Sequence, residues 1–281
     1  MKLTVTLVQL SAGPDKRRNL DHACELVSRA AEAGASFVLL PEVFGFVADA
    51  SHWHDAAEPI PGPTTARLST LAAERGIHLL AGSLLEDVGV AGKCANTSIL
   101  IGPDGAILAC YRKMHLFRVT LPDGVVFDET DYTEPGRAPV TVETAFGRVG
   151  MTICYDLRFP ELYRSLTLSG AGIVTVPSAF TAFTGEAHWR VLLRARAVEN
   201  QVFVLAPNQV GTSSTGVSFY GHSLIVDPWG AVLAEGGDDE ELVSAEIDTD
   251  RVDEVRTRLV ALEHVRRELL GRDADTPERR R

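Results

Sequence analysis

The stretch SILIGPDGAILA at residues 98–109 returns as SLIVDPWGAVLA at residues 223–234. Ser, Pro, Gly, Ala, Leu and Ala coincide in the two copies. Each reads as a β-hairpin, because proline presets one position of the turn and glycine tolerates positive φ. The offset of 125 holds upstream, so that residues 64–109 lie on residues 189–234. Residues 66–74 and 189–199 read as helices, and residues 77–81 and 202–206 as strands. Further upstream, residues 30–35 lead into the apolar run FVLLP at 37–41, as residues 166–171 lead into IVTVP at 173–177. Each half therefore reads strand, helix, strand, helix, strand, hairpin.

Halves of this size with wholly apolar strands need cover on both sheet faces. The predicted fold is α/β: a four-layer αββα sandwich of two mixed sheets from two pseudo-symmetric halves. Residues 1–270 are expected to form a single domain, with a charged tail at 271–281. Residues 110–147 join the copies. They contain Pro122, Gly124, Pro135, Gly136 and Pro139, and they read as irregular loop.

Three segments carry candidate chemistry. In VGMTICYDLRFPEL (149–162) a buried strand ends at Ile153 and Pro160 opens a helical pattern. Cys154 at this junction presents its sulfur at the sheet edge, where turn N–H groups can face an oxyanion. In FVLLPE (37–42), Pro41 ends a strand and leaves Glu42 just past its carboxyl end, where open α/β sheets place their sites. In YRKMHLF (111–117), Lys113 follows the first hairpin. A cysteine thiol with an ordinary pKa of about 8.5 needs a base and a positive neighbour to act as a nucleophile near neutrality. Glu42 can take the thiol proton and later deliver it to a leaving amine. Lys113, with a backbone N–H such as that of Tyr155, can hold the oxyanion.

In the order Glu42, Lys113, Cys154, within these strings, the chain resembles the nitrilase superfamily of carbon–nitrogen hydrolases, from about residue 3 to residue 269. The resemblance implies the αββα fold and amide hydrolysis through a cysteine thioester. It assigns these three residues as base, electrophilic lysine and nucleophile, without metal or organic cofactor. It also implies a further glutamate after the lysine, for which Glu129 in FDETDYTEPG (127–136) is the candidate. At least a homodimer is expected, with residues 254–270 packing across subunits.

CYDLRFPE, PSAFT and HWRVLLRARAVEN further resemble the Nit branch, whose deaminated glutathione amidase and ω-amidase act on amides bearing a 2-oxo acid. Ser178 and Thr181 favour the first. ω-Amidase, N-carbamoyl amino-acid hydrolase and nitrilase activities stand as alternatives, as does a non-catalytic scaffold. The chain departs from the branch at RVTLP (118–122) and at its RELL ending (267–270). Arg158, four residues beyond Cys154, can bind a substrate carboxylate through two parallel hydrogen bonds. The competing role for it is an ion pair with Asp156 or Glu161. Phe180 and Thr184, in the segment 177–189 after a strand end, are expected to line the pocket.

Composition narrows the field. A formal net charge of −11 disfavours binding of nucleic acid or an acidic membrane through a broad basic face. Cysteines at 24, 94, 110 and 154 form no Cys-x-x-Cys pair, which fits a reducing cytoplasm. Leu3, Val5 and Leu7 alternate as in a strand, so the N-terminus is not read as a signal peptide. No apolar run reaches the length of a membrane span. His52, His54, His188, His222 and His264 lack metal-ligand spacing and read as solvated or hydrogen-bonded.

Overall fold

The structure, a computed structural model, describes residues 1–120 and 126–267. Pro122, Gly124, the boundary at 270 and the tail 271–281 lie outside the described residues. The first half runs β1 (Lys2–Gln9), α1 (Lys16–Glu32), β2 (Phe37–Leu39), a short α2 (Trp53–Ala56), α3 (Pro63–Arg75), β3 (His78–Leu80), β4 (Leu84–Asp87), β5 (Cys94–Ile101) and β6 (Ile107–Arg112). β7 (Arg118–Thr120), β8 (Val126–Asp128) and β9 (Val140–Thr144) follow. The second half runs β10 (Gly147–Met151), α4 (Pro160–Leu168), β11 (Ile173–Thr175), α5 (Ala182–Asn200), β12 (Phe203–Ala206), β13 (Val210–Thr212), β14 (Ser218–Tyr220), β15 (Leu224–Val226) and β16 (Val232–Glu235). β17 (Glu241–Asp248) and α6 (Asp250–Arg258) complete the elements.

One sheet has the order β17-β1-β2-β3-β5-β6, with β4 beside the first part of β5. The other has the order β9-β10-β11-β12-β15-β16. The offset of the sequence repeat is kept in the strand register. Leu79 faces Ile101 as Val204 faces Val226, and Ile99 faces Cys110 as Leu224 faces Glu235. Both hairpins also shift register at the same place, between Leu100 and Ile101 and between Ile225 and Val226. The internal repeat is thus a structural repeat down to its β-bulge.

Strand alternation divides the core. Val5, Leu7, Phe37, Leu39, Leu80 and Leu100 face the second sheet. Val8, Val38, Leu79, Ile99 and Ile101 face α1 and α3. α1 is capped by Asp15, whose carboxylate accepts from the Arg18 N–H at 3.0 Å. α3 begins with Pro63 and ends at Gly76 in the left-handed region. α4 and α5 cover the outer face of the second sheet, packing Leu162, Leu166, Trp189 and Leu193. The layers are αββα, as the sequence pattern predicts. No helix among the described residues is long and apolar enough to cross a membrane.

Three departures from the sequence reading stand out. The connection 110–147 is not irregular: it holds the end of β6, all of β7, β8 and β9, and the first residue of β10. Val140 and Val142 alternate along β9 and pair back on Met151 and Val149, while the prolines at 135 and 139 precede the strand. α5 begins at Ala182, well before residue 189. Gly185 disguises that first turn, yet a Cβ there would meet the Tyr220 ring at 2.3 Å, so close packing demands the glycine. Finally, β17, from the end of the chain, edges the first sheet beside β1, just as β9 edges the second beside β10.

Candidate active site

Glu42 leaves the sheet just past β2, on backbone that is fixed from behind. Gly82 approaches so closely that a Cβ would meet the Pro41 carbonyl oxygen at 1.9 Å. Val43 sits at φ 46°, and its N–H donates to Ser83 Oγ at 3.0 Å. Lys113 directly follows β6. Its N–H donates to the Asn96 carbonyl at 2.9 Å, and its carbonyl accepts from the Gly136 N–H at 2.8 Å. Gly136 is pressed against the same turn, where a Cβ would lie 2.0 Å from the Arg112 carbonyl.

The side chains meet in a buried cluster. Lys113 Nζ donates to Glu42 Oε1 at 2.9 Å and to Glu129 Oε2 at 2.8 Å. Glu129 opens a 3-10 turn (Glu129–Asp131), and its Oε2 also accepts from the Phe117 N–H at 2.7 Å. Glu42 Oε1 accepts from Asn96 Nδ2 at 2.9 Å, and Oε2 from the Ala179 N–H at 2.8 Å. Glu42, Lys113 and Glu129 are only 4%, 3% and 2% exposed, so this network is shielded from water. Burial alone would lower the Lys113 pKa, but Glu129 and Glu42 outweigh it and hold the ammonium form well above its usual range.

Cys154 is the first residue of a 3-10 turn (Cys154–Arg158) that follows β10. Its φ of 43° is rare for a side chain with a Cβ and aims the sulfur out of the strand direction. Its N–H donates to the Pro177 carbonyl at 3.0 Å, which pins the turn to the end of β11. Burial pushes the thiol well up, and the charge of the Glu42 carboxylate adds to the rise. Lys113 and the Ala179 amide oppose it. The resting sulfur is therefore a thiol beside a carboxylate.

Asp156 locks this turn to the Lys113 hairpin. It is fully buried and accepts from the Ile153 N–H at 2.9 Å, Tyr111 Oη at 2.7 Å and the His115 N–H at 3.1 Å. His115 Nδ1 adds a contact at 2.7 Å. Burial and the adjoining carboxylate push the Tyr111 phenol up, so it remains a donor. Asn96, Asp156 and Gly82 are the site-building residues missed by the sequence reading. For Asp156 a signal existed in its place inside the nucleophile motif. For Asn96 and Gly82 only the three-dimensional packing reveals them.

Of the remaining predicted residues, Arg158 pairs with neither Asp156 nor Glu161. Its guanidinium lies 5.3 Å from the Phe180 ring centroid and 5.8 Å from that of Tyr155, and Nη1 is 3.3 Å from His188 Nδ1. Phe180 packs on Trp189 at 5.0 Å. Tyr155 stands edge-on to Phe117 and Phe159, at 5.2 and 5.4 Å. Half-buried Arg158, Tyr155 and Phe159 form an aromatic and cationic rim beside the cysteine turn, backed by the buried Phe180 ring. Thr184 is in the first turn of α5, where its hydroxyl meets that of Thr181 at 3.2 Å. Its hydrogen bond thus goes to a neighbour rather than to the buried cluster. Among the described residues, no group of three or more His, Cys, Asp or Glu side chains is placed to hold a metal ion.

The chain is similar to known proteins of one family. The Carbon-nitrogen hydrolase family model matches residues 4–257. A deaminated glutathione amidase from Synechocystis sp. is 43% identical over 260 residues, covering 92% of this chain and 96% of that protein. Omega-amidase NIT2 of Xenopus tropicalis is 40% identical over 258 residues, covering 92% and 93%. Among solved structures, Saccharomyces cerevisiae Nit3, a member of the nitrilase superfamily, superposes with a TM-score of 0.83 at 36% identity, covering 92% of this chain and 94% of that one. An amidase from Nesterenkonia sp. AN1 reaches 0.78 at 29% identity, covering 95% of each chain. That structure is of a glutamate-to-glutamine mutant and shows covalent addition of the acetamide moiety of fluoroacetamide at the active-site cysteine.

Proposed function

The chain belongs to the carbon–nitrogen hydrolase family, and from that premise we propose that it is an amidase working through Glu42, Lys113 and Cys154. The observation that carries this reading is the burial of Glu42 and Lys113 in one hydrogen-bonded cluster, with Cys154 buried at the end of the neighbouring strand β10. Glu42 takes the thiol proton as the sulfur attacks the amide carbon. The C=O electron pair moves to oxygen, and Lys113 Nζ stabilises that oxyanion. The Cys154 N–H is committed to Pro177 and the Asp156 N–H to Ile153, so the Tyr155 N–H is assigned as the second donor. On collapse, Glu42 returns the proton to the nitrogen, and ammonia leaves a thioester. Glu42 then takes a proton from water, the resulting hydroxide displaces sulfur, and acid and free thiol are regenerated. Glu129 keeps Lys113 charged and aimed.

The substrate class proposed is a small amide bearing a carboxylate, with deaminated glutathione first and 2-oxoglutaramate as the second reading. Support comes from Arg158, a cation on an aromatic shelf without a carboxylate partner among the described residues. Phe180 supplies an apolar wall, and Thr184 a hydroxyl further along α5. The relatives named above support both substrates. A homodimer or larger assembly in the cytoplasm belongs to the same proposal. Val191 and Val198, both exposed on α5, offer an apolar face for self-association.

The test is ammonia release from a matched pair of amides, with and without the carboxylate, by wild type, Cys154→Ala and Arg158→Lys. Cys154→Ala should be inactive on both, and wild type should show an acyl adduct by intact mass. Arg158→Lys keeps the charge but loses the planar two-point contact. It should therefore lose roughly 1.5–3 kcal/mol in kcat/KM on the carboxylate-bearing amide, and much less on its partner. Equal losses on both substrates would remove the carboxylate-anchor role.

A further inference from the structure

We propose that Asn96 is a positioning residue of this site, a neutral amide that orients Glu42 and Glu129 around Lys113 without adding charge. The inference rests on the Glu42–Lys113–Cys154 reading and deepens it. Asn96 lies in β5, opposite Leu85 of β4, and is 2% exposed. Its Nδ2 donates to Glu42 Oε1 at 2.9 Å and lies 3.4 Å from Glu129 Oε1. Its main-chain carbonyl accepts the Lys113 N–H at 2.9 Å. One residue thus touches the proposed base, both carboxylate partners of the lysine, and the backbone that delivers the lysine.

The amide orientation follows from charge. Flipping it would place Oδ1 against two carboxylate oxygens, so Nδ2 must face them. The consequence is visible on the other side: Asn96 Oδ1 is buried without a hydrogen-bond partner. A buried acceptor left unsatisfied is costly and uncommon. Leucine or alanine at this position would avoid that cost. The retained orphan therefore marks a position where the donor is needed.

The donor must also be neutral. Glu42 already shares Lys113 with Glu129. A second cation at position 96 would hold the Glu42 carboxylate too firmly to accept the thiol proton. A carboxylate there would crowd a third negative charge into the cluster. An amide orients Glu42 Oε1, leaves Oε2 to the Ala179 N–H, and changes no charge.

The experiment compares Asn96→Ala and Asn96→Asp with wild type and Cys154→Ala on one carboxylate-bearing amide, after thermal unfolding has shown the variants folded. Asn96→Ala should lower kcat about 10- to 100-fold, the scale of a lost hydrogen bond to a charged group, with KM within threefold. Asn96→Asp is close in shape and replaces the donor by an acceptor. The charged and titratable groups facing position 96 are Glu42, Glu129 and Lys113. Cys154 lies beyond Glu42, and Glu86 is held by Thr97 and Arg112. Crowded carboxylates take up a proton more readily, and the resulting O–H can donate to Glu42. The Asn96→Asp variant should therefore regain at least tenfold relative to wild type as pH falls from 8 to 6. A kcat within threefold of wild type for Asn96→Ala, or an Asn96→Asp loss equal at pH 6 and 8, overturns the proposal. Turnover by Cys154→Ala would instead defeat the underlying catalytic reading.

Discussion

Replacing Lys113 by methionine tests stability and chemistry together. The ammonium is 3% exposed and bridges carboxylates whose side chains are 6% and 2% exposed, at 2.9 and 2.8 Å. Methionine fills most of the volume but leaves two buried negative charges facing each other. Breaking a buried ion pair by removing one partner costs about 3–5 kcal/mol, because the remaining charge is uncompensated. For a chain of this size that is a fall in Tm of roughly 5–9 °C. Loss of the proposed oxyanion donor should lower kcat by at least about 10²-fold.

The pH dependence gives the sign. In wild type the Lys113 pKa is raised on folding. Its contribution to stability is therefore fully present below the unfolded-state value of about 10.4, and is lost only as pH rises through the folded-state value. Between pH 5 and 9 it is flat. In Lys113→Met the native state crowds two carboxylates and binds protons more readily than the unfolded chain, so stability rises as pH falls. Urea unfolding at pH 5 and pH 8, read by circular dichroism, should show the deficit shrinking at pH 5. Steady-state kinetics at 20 °C should show the kcat loss while the variant is folded. A deficit under about 1 kcal/mol at pH 8, or a kcat within tenfold of wild type, would refute the argument.

Two further substitutions probe the scaffold around the site. Asp156→Asn turns one acceptor oxygen into a donor facing the donating Ile153 N–H, Tyr111 hydroxyl and His115 N–H, and should cost about 2–4 kcal/mol and lower kcat. An unchanged Tm would show that the tie to Tyr111 and His115 contributes nothing. Gly82→Ala places a Cβ against the Pro41 carbonyl at a φ of 25°. It should destabilise by more than about 2 kcal/mol and displace Glu42, with kcat falling more than KM rises. Wild-type kinetics in a folded variant would mean that the loop yields without moving the glutamate.

Much of this site was legible because each proposed catalytic residue sits next to strong local punctuation. Pro41 ends a strand before Glu42, a Pro-x-Gly hairpin leads to Lys113, and Pro160 starts a helix just after Cys154. The second hairpin revealed the repeat because its turn chemistry was kept along with its apolar pattern. Less legible were elements whose signal is non-local. β17 reads as an ordinary strand, and nothing near residues 241–248 says that its partner is β1. Gly185 looks like a helix breaker until Tyr220 is placed over it. Asn96 reads as a polar interruption of an apolar strand, since Glu42 and Glu129 are 54 and 33 residues away. Arg158 was placed correctly on the turn, but whether it would pair with Asp156 depended on Tyr111 and His115 filling that carboxylate first.

The pseudo-symmetry also shows how the two halves differ at the positions of the proposed site. Val5 faces Phe37 as Val149 faces Ile173, so Leu10 corresponds to Cys154 and Glu42 to Ser178. At the hairpin offset, Lys113 corresponds to Asp238. The equivalent set is thus a leucine, a serine and an aspartate, with no thiol to activate and no cation. The proposed working set is divided along the chain: Glu42 comes from the first half, Lys113 and Glu129 from the connection that follows it, and the sulfur from the second half. What joins the two halves is a set of buried hydrogen bonds. The Ala179 N–H, just after β11, donates to Glu42 Oε2, and Gln209 Nε2 donates to the Glu42 carbonyl at 3.0 Å while its Oε1 accepts the Ala12 N–H at 3.0 Å. Each bond crosses from one half to the other at the strand ends. The distance between base and sulfur is therefore set by the packing of the two sheets, and the sandwich itself is the device that holds the proposed base against its nucleophile.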